Sequence, residues 1–375
     1  MAELHCATAE LFRQRQKKPL NMIIGFDGFV DEIIHVVRKR PDFNSFERMQ
    51  TITELSERIG RASGYSTNVE FVPVQTKLGG NGPILSNALV GYGVNLTYIG
   101  ALGYPDIHPV FKQLAQSSTV YSICDPAHTD ALEFTDGKLL LGKLDVLNNL
   151  NWESIREKVG GVHEFAEMIN SCDLLGMGNW TMISMMNGIW EGMIGEMFPL
   201  LDPDRRPYAF FDLADPEKRT KEDIKKALRL ISAFSERFDV ILGLNGKEAN
   251  EIAGVMGLTG FEDLPDGERL KAVTAGIFGK MDIHCVVVHL IKEASAVTAD
   301  GYMNVKGPYC KDPVLTTGAG DNFNAGFCFA KSMGLDIGQS LTAGVCTSGY
   351  YVRNARSPKI EEAVDFMMNY ESVTE

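Results

Sequence analysis

Short apolar segments alternate with stretches of helical spacing from about residue 150 onward, and this alternation constrains the fold more than any other feature of the chain. The apolar segments occupy residues 173–176, 208–211, 240–242 and 285–289. Strands that alternate with helices in this way are typical of a parallel sheet with helices packed on its faces. The pattern therefore predicts an α/β fold.

The first third of the chain is richer in strand patterns. Residues 21–26 and 29–34 form two apolar segments, and residues 119–147 resemble two or three strands with a hairpin turn at Asp136-Gly137. Residues 137–144 have the spacing of a Walker A loop, but no Ser or Thr follows the lysine, so we interpret them as part of the hairpin. We expect a separate small sheet over one edge of the core.

Length and composition exclude several classes of protein. The chain has 375 residues, of which 45% are hydrophobic, enough for one large α/β domain with an appendage or for two domains. No apolar run reaches the ~18 residues of a membrane helix. The seven cysteines show no pairing pattern, which favours a reducing cytoplasm. The net charge of −13 disfavours binding to nucleic acid or to an anionic membrane surface.

A glycine-rich loop at residues 316–323 reads Thr-Thr-Gly-Ala-Gly-Asp-Asn-Phe and leads into a predicted helix over 322–332. Such a loop can aim several backbone N–H groups at one point, where the helix N-terminus adds roughly half a positive charge. Asp321 lies at the same helix start and should be ionised at pH 7, because a free aspartate titrates near ~3.9.

An anion-binding loop beside a carboxylate base suits phosphoryl transfer to an alcohol. The base would accept the hydroxyl proton, and the N–H groups would stabilise charge on the phosphoryl group. The same residues also fit a simpler interpretation, in which Gly318 and Gly320 permit a tight turn and Asp321 caps the helix.

Two further motifs precede helices. Asn245 and Glu248 follow the apolar strand 240–242, at the edge of the sheet where ligands bind in open α/β folds, and could orient water on Mg²⁺. By themselves, the two residues fit ordinary helix caps better. Gly79 and Gly80 let a substrate approach the backbone closely, although a flexible turn would also explain them.

Two aspartates near the first strands are candidates for binding hydroxyl groups. Asp31 lies on the second apolar segment, and Asp27 lies in a Gly-Phe-Asp-Gly turn. A carboxylate accepts two hydroxyl hydrogen bonds well, which suits a polyol. Both could instead cap turns, and we favour that interpretation more for Asp27 than for Asp31. The segment 176–178, Gly-Met-Gly, lacks the third glycine and the acidic partner of a dinucleotide-binding loop.

The order of these motifs along the chain resembles that of the ribokinase-like (PfkB) family of carbohydrate and nucleoside kinases. The resemblance runs from Asp31 through Gly79-Gly80 and Asn245-x-x-Glu248 to the Gly-Ala-Gly-Asp run at 318–321. It implies one kinase domain over residues 1–375, with a Rossmann-like three-layer core and a mostly parallel sheet. It also implies a small β-sheet lid, formed by roughly 28–37, 68–78 and 119–147.

The resemblance implies a role for each matching residue. Asp321 would be the catalytic base, and Gly318, Ala319 and Gly320 would form the anion hole. Candidates for binding the acceptor are Asp31, Asp27, Gly79, Gly80 and Asn81. Candidates for placing the nucleotide, its phosphates and Mg²⁺ are Asn245, Glu248 (through water), Lys292 and Thr317.

The implied enzyme is cytoplasmic, uses ATP and Mg²⁺, and phosphorylates a hydroxyl of a sugar or sugar-like acceptor. Its partner would be a small-molecule sugar or nucleoside, with no nucleic acid and no membrane. A homodimer through the lid is a further expectation. A nucleoside kinase similar to adenosine kinases is an alternative, because the span between Asp31 and Gly79 is longer than in short sugar kinases.

Three positions depart from the family pattern. Ile84 stands where the family often has Asn, and Leu315 stands where it usually has Asp. The segment 289–294, His-Leu-Ile-Lys-Glu-Ala, replaces the family's Thr-Leu-Gly-x-x-Gly, so both glycines are missing and Lys292 could supply charge to a phosphate instead. The unusual segment also fits a non-catalytic sugar or nucleoside sensor, or a kinase with a different donor such as ADP.

Overall fold

Two sheets and the helices around them organise the chain. The computed structural model describes residues 2–14 and 19–373, and the rest of the predicted 1–375 domain lies outside this part. The strands are β1 (Asn21–Phe26), β2 (Phe29–Lys39), β3 (Glu47–Arg48), β4 (Phe71–Gly79), β5 (Asn95–Gly100), β6 (Thr119–Ser122), β7 (Ala127–Phe134), β8 (Gly137–Lys143), β9 (Leu174–Met177), β10 (Tyr208–Asp212), β11 (Asp239–Asn245), β12 (Cys285–His289), β13 (Glu293–Thr298) and β14 (Gly301–Lys306).

The α-helices lie between and after these strands, with short 3₁₀ turns in several connections. They are α1 (Ala2–Gln14), α2 (Ile52–Arg61), α3 (Asn81–Gly91), α4 (Lys112–Gln116), α5 (Trp152–Lys158), α6 (Val162–Ser171), α7 (Met186–Gly192), α8 (Lys221–Ala233), α9 (Gly246–Val255), α10 (Asp266–Phe278), α11 (Ala319–Ser332), α12 (Ile337–Asn354), α13 (Ile360–Met368) and α14 (Tyr370–Val373). In the described part of the chain, none of them combines the length and the apolar character needed to cross a membrane.

The larger sheet is mostly parallel, as predicted. Its strand order is β14-β13-β12-β11-β10-β9-β1-β5-β6. All pairs from β12 to β6 are parallel, and β13 and β14 add antiparallel pairs at one edge. The apolar segments recognised in the sequence are the neighbouring strands β9, β10, β11 and β12. They are almost wholly buried, because helices cover both faces of the sheet.

Two apolar cores lie on opposite faces of this sheet. One contains side chains of α6 to α10, such as Phe165, Trp190 and Val273. The other contains side chains of α1, α3, α11, α12 and α13, such as Leu85 and Phe327. The result is the three-layer α/β core that the sequence predicted.

The smaller sheet has the order β3-β2-β7-β8, and β4 pairs with β2 as well. Its apolar face has a core of its own, in which Leu55 of α2 packs against Ile34, Val36 and Leu132. The β7–β8 hairpin exists as predicted, but its two turn residues are Thr135 and Asp136, because Gly137 begins β8 and pairs with Phe134.

One predicted boundary of the small sheet is wrong. Residues 119–147 do not all belong to it, because β6 pairs in parallel with β5 of the main sheet. The connection β5–α4–β6 is a strand–helix–strand unit, which returns the chain to the sheet that it left. Only β7 and β8 from this range join the small sheet, and residues 145–149 form a 3₁₀ turn.

Close packing of α11 against α12 depends on Gly326. A β-carbon at this position would lie 2.2 Å from Thr347 Oγ1 and 2.5 Å from the carbonyl oxygen of Ala343. Both atoms belong to α12, and the second is main chain that cannot move without shifting the helix. Gly326 therefore sets the distance between the two helices, and with it the position of α11.

We expect Gly326→Ala to lower the free energy of unfolding by about 1–3 kcal/mol, because overpacking outweighs the better helix propensity of alanine. Gly254→Ala in α9 is the matched control, since no atom lies within 4 Å of its β-carbon. We expect this control to be more stable than the wild type by about 0.5–1 kcal/mol. Urea unfolding measures both variants, and a stabilised Gly326→Ala protein would contradict the packing argument.

Candidate active site

Two helix starts that are far apart in sequence meet at the carboxyl edge of the main sheet. Asp321 is in the first turn of α11, is 8% exposed, and accepts a hydrogen bond of 3.0 Å from Asn81 Nδ2. Asn81 is the first residue of α3 and directly follows Gly79 and Gly80. The two glycine motifs therefore form one site, although 240 positions separate the bonded residues.

The loop before Asp321 is held in a defined shape. Gly318 has a φ of 91°, a left-handed conformation that favours glycine, and its carbonyl oxygen accepts a 2.9 Å hydrogen bond from Asn322 Nδ2. Tyr351 donates from its hydroxyl to the carbonyl oxygen of Thr317, at 2.7 Å. Within the described residues, the N–H groups of Gly320 and Asp321 have no acceptor, as expected in the first turn of a helix. They remain available for an anion.

Asp27 organises the start of α3. It is fully buried, and its carboxylate accepts hydrogen bonds from the N–H groups of Asn81 and Gly82, both at 2.9 Å, and from Asn179 Nδ2 at 2.7 Å. Burial raises the pKa of this carboxyl above its ordinary value. The observed contacts are those of a capping residue, which was one of the two interpretations of Asp27, and a role in binding the acceptor stays a prediction.

Asp31 lies on β2 of the small sheet and faces the paired glycines. A β-carbon on Gly79 would lie 2.3 Å from Asp31 Oδ2, so only glycine leaves room for this carboxylate. Burial raises the pKa of Asp31, while a hydrogen bond with Thr129 and the charge of Lys77 oppose that rise. The structure therefore brings Asp31 beside the loop that leads to Asn81.

Asn245 and Glu248 form a capping box at the start of α9. Asn245 Oδ1 accepts from the N–H of Glu248 at 3.0 Å, and Glu248 Oε2 accepts from the N–H of Asn245 at 2.8 Å. The other carboxylate oxygen of Glu248 accepts from the N–H of Asp215 at 2.9 Å. Both side chains thus have a structural role, which was one of the two interpretations of this motif. A role with Mg²⁺ stays a prediction.

Asp212 is a half-buried carboxylate that was not among the predicted site residues. It is the last residue of β10, and it accepts hydrogen bonds from Asn324 Nδ2 and from the N–H of Ala214, both at 3.0 Å. Three other carboxyl groups lie near it, those of Asp27, Glu248 and Asp321. Burial and the charge of Glu248 raise its pKa to about 8. Its place at the end of a predicted central strand was a signal that could have identified it.

The carboxyl groups that surround Asp321 show that the expectation of a simply ionised Asp321 at pH 7 is wrong. Burial raises the pKa of Asp321 well above its ordinary value, and the nearby carboxylates Asp212 and Asp27 raise it further. The hydrogen bond from Asn81 opposes this rise. A free aspartate is therefore a poor reference, and this group needs a nearby positive charge to act as a base near neutral pH.

Asn179 is a second site residue that the sequence motifs did not identify. It follows the end of β9, has a φ of 60°, and is 4% exposed. Its amide nitrogen donates to Asp27, whereas its Oδ1 atom has no hydrogen-bond partner among the residues described. A left-handed conformation is uncommon at residues other than glycine, although asparagine adopts it more readily than most, and such residues are often found at functional sites. The only signal in the sequence was its position after a central strand, directly following the Gly-Met-Gly segment 176–178.

A cavity of about 1080 Å³ adjoins the anion-hole loop. Its wall includes Asn245, Thr316, Ala319 and Gly320, but not Thr317. The charged side chains that line it are Lys247, Arg269, Lys292, Lys311, Asp266 and Glu293. Cations thus outnumber acids here in a chain whose net charge is −13, so the cavity suits an anionic ligand.

Lys292, a predicted phosphate-binding residue, lies on this wall. Its Nζ atom is 4.8 Å from the centroid of the Tyr309 ring, in a cation–π contact. The cavity also contains Leu290 and Ile291, so the segment that departs from the family pattern forms one side of it.

The fold is that of the ribokinase-like (PfkB) class. A ribokinase from Thermotoga maritima superimposes with a TM-score of 0.63 and 15% identity, over 94% of this chain and 99% of its own. An adenosine kinase from Sinorhizobium meliloti has a TM-score of 0.62 and 16% identity, over 93% and 98% of the two chains. At such identities the likeness shows the fold alone.

Sequence comparison identifies the family within this class to which the chain belongs. The family model described as prokaryotic ketohexokinase matches residues 6–370. A ketohexokinase from Haloferax volcanii is 29% identical over 351 residues, which are 93% of this chain and 91% of the relative. The chain belongs to the prokaryotic ketohexokinase family. It is a carbohydrate kinase, an enzyme that transfers a phosphoryl group to a hydroxyl group.

The raised pKa of Asp212 predicts how stability changes with pH. The folded protein holds this proton up to about pH 8, whereas the unfolded chain releases it near the ordinary value of 3.8. The stabilising effect of the proton is therefore complete below that ordinary value and is lost as pH rises through about 8. Asp212→Asn has no such proton, and the unpaired Asn324 Oδ1 can accept from the new amide.

We expect the unfolding free energy of the wild type to fall, relative to that of Asp212→Asn, as pH rises from about 5 to about 9, because the folded-state titration near pH 8 lies within this interval. Urea unfolding at several pH values measures the difference. Asp300→Asn is the control, because Asp300 is exposed in the β13–β14 turn. Parallel stability curves for the wild type and Asp212→Asn would contradict the raised pKa.

Proposed function

We propose that this protein is an ATP- and Mg²⁺-dependent ketohexokinase, which phosphorylates a hydroxyl group of a ketohexose such as fructose. The observation that carries the proposal is the contact between Asn81 and Asp321. It joins the acceptor-side glycine motif to the loop that would bind the transferring phosphoryl group. The match to the prokaryotic ketohexokinase family over residues 6–370 supports the choice of acceptor.

Asp321 is the general base in this proposal. Its Oδ1 atom is held by Asn81, so Oδ2 is left to accept the proton of the sugar hydroxyl. The N–H groups of Gly320 and Asp321, with those of the preceding loop, stabilise negative charge on the phosphoryl group during transfer. The loop is fixed by Tyr351 and Asn322 before substrate arrives, so little reorganisation is needed at the moment of reaction.

The acceptor lies between the small sheet and the start of α3 in this proposal. Asp31 accepts hydrogen bonds from sugar hydroxyls, and Gly79 and Gly80 let the sugar approach the main chain. The small sheet acts as a lid that excludes water and so limits hydrolysis of ATP.

A homodimer through this sheet is a further prediction. It would cover Leu140 and Leu141, which are 67% and 46% exposed, and light scattering of Leu140→Lys against the wild type tests it.

The buried carboxylates fit a divalent cation. Asp27, Asp212, Glu248 and Asp321 all have a raised pKa, because burial disfavours their charged forms; repulsion from neighbouring carboxylates adds to the rise at all of them except Asp27. A positive ion would offset this repulsion, and Glu248 with Asn245 would hold it through water. When bound, Mg²⁺ would neutralise charge on the phosphates during transfer. The cavity beside Gly320, with cationic side chains on its wall, accommodates the nucleotide.

We expect Asp321→Asn to lower kcat by about 10²–10⁴-fold, the usual contribution of a general base, while ketohexose binding persists. Ketohexose-dependent release of ADP from ATP measures turnover, and calorimetry measures binding. Asp300→Asn is the matched control and should retain wild-type turnover, because its carboxylate is exposed in a distant turn. Near-normal turnover of Asp321→Asn would show that another group is the base.

The same assay separates the competing functions. A panel of ketohexoses, aldoses and nucleosides distinguishes a ketohexokinase from a nucleoside kinase, which the fold shared with an adenosine kinase keeps as a candidate. Replacement of ATP by ADP tests the altered donor suggested by residues 289–294. Sugar binding without turnover by either donor would indicate a sensor and would overturn the proposed reaction.

A further inference from the structure

His289 occupies the junction between the cavity and the anion-hole loop. It is the last residue of β12, pairs with Asn245 of β11, and contributes to the cavity wall. A β-carbon placed on Gly320 would lie 3.3 Å from His289 Nε2 and 3.1 Å from its Cε1. The imidazole edge therefore lies against the first turn of α11, one residue before Asp321.

The imidazole of His289 is packed but has no polar partner. Its ring lies 5.0 Å from the ring of Phe323, centroid to centroid. Among the residues that the structure describes, none forms a hydrogen bond with either ring nitrogen. Burial lowers the pKa of His289 to about 4, so the imidazole is neutral at pH 7, with one nitrogen carrying a proton and the other bare.

This combination suits a ligand contact better than a packing role. A phenyl ring would make the same tilted contact with Phe323, whereas the half-buried imidazole adds two polar nitrogens at the cavity wall, where a hydrogen-bond partner can reach them. The cavity is the space from which that partner can come. Its lysines and arginine favour an anion, and a neutral imidazole can donate one hydrogen bond to an anionic oxygen.

We propose that His289 donates an N–H hydrogen bond to a phosphate oxygen of the donor nucleotide, beside the anion-hole loop. The inference rests on the proposed function for the identity of the ligand as a nucleotide. His289 stands at the first position of the segment that lacks the two family glycines. His289 therefore supplies a side-chain hydrogen-bond donor to the phosphates on the side of the cavity formed by residues 289–294, where the family's two glycines are missing.

Two substitutions separate a hydrogen bond from packing. His289→Phe keeps an aromatic ring against Phe323 and removes the donor. His289→Gln restores an N–H group near the position of Nε2. Calorimetry with ADP and Mg²⁺ should give a dissociation constant about ten-fold or more higher for His289→Phe, as expected for loss of a hydrogen bond to a charged group. For His289→Gln the constant should stay within about three-fold of the wild-type value.

A second histidine provides the control. His284 immediately precedes β12, and its ring contacts Tyr208, away from the cavity wall. His284→Phe should bind ADP as the wild type does. Thermal unfolding of all variants shows whether a weaker His289→Phe protein is still folded.

NMR of protein with ¹⁵N-labelled histidine gives a direct readout. Addition of ADP should shift the ring-nitrogen signals of His289 and leave those of His284 in place. Titration with inorganic phosphate, AMP and ADP in turn identifies how many phosphates are needed to produce the shift.

Several results would overturn the inference. They are wild-type ADP affinity in a folded His289→Phe protein, equal weakening by Phe and Gln, unmoved His289 signals at saturating ADP, or no binding of ADP to the wild type. These measurements need no acceptor and no turnover. His289-dependent ADP binding without ketohexose phosphorylation would refute the proposed function alone, and turnover with unchanged ADP affinity in His289→Phe would refute the inference alone.

Discussion

The carboxylate of Asp27 is the constraint on which the rest of the site depends. It ties the end of β1 to the start of α3 through the N–H groups of Asn81 and Gly82, and to the loop after β9 through Asn179. Tyr98 of β5 donates from its hydroxyl to the carbonyl oxygen of the same residue. Three neighbouring strands are thereby fixed to one helix start. Because Asn81 is the residue that holds Asp321, the position of the proposed base follows from this buried cap.

Charge is divided between two regions of the site. Carboxyl groups gather around Asp321, where burial and repulsion from neighbouring carboxylates raise the pKa of both Asp321 and Asp212. Cationic side chains line the adjoining cavity. In isolation the first region disfavours negative charge and the second favours it. A nucleotide with its metal ion would satisfy both, since the ion offsets the carboxylates and the phosphates meet the cations. Binding of such a ligand would therefore favour the charged forms of these carboxyl groups.

The sequence predicted the core well because its signals are local. An apolar strand such as β11 and a glycine-rich helix start such as that of α11 can each be recognised within a short window. What it could not predict depends on contacts between distant segments. Nothing local shows that β6 joins the main sheet while β7 joins the small one. The hydrogen-bond partners of Asp27 are 54 to 152 positions away, and the left-handed backbone of Asn179 is visible only in three dimensions.

Several site residues carry structural and proposed functional roles at once, and this limits what their substitution can reveal. Asn245 and Glu248 satisfy each other's main chain, and Asp27 satisfies two N–H groups of α3. Removing any of them would leave buried donors without partners, which costs about 1–3 kcal/mol each. A loss of activity in such variants would then report on folding as much as on chemistry. Asp321 differs, because its carboxylate has a side-chain partner in Asn81 and none in the main chain among the described residues. Its replacement by asparagine leaves the helix start intact, so the loss that follows can be attributed to the proton that it no longer accepts.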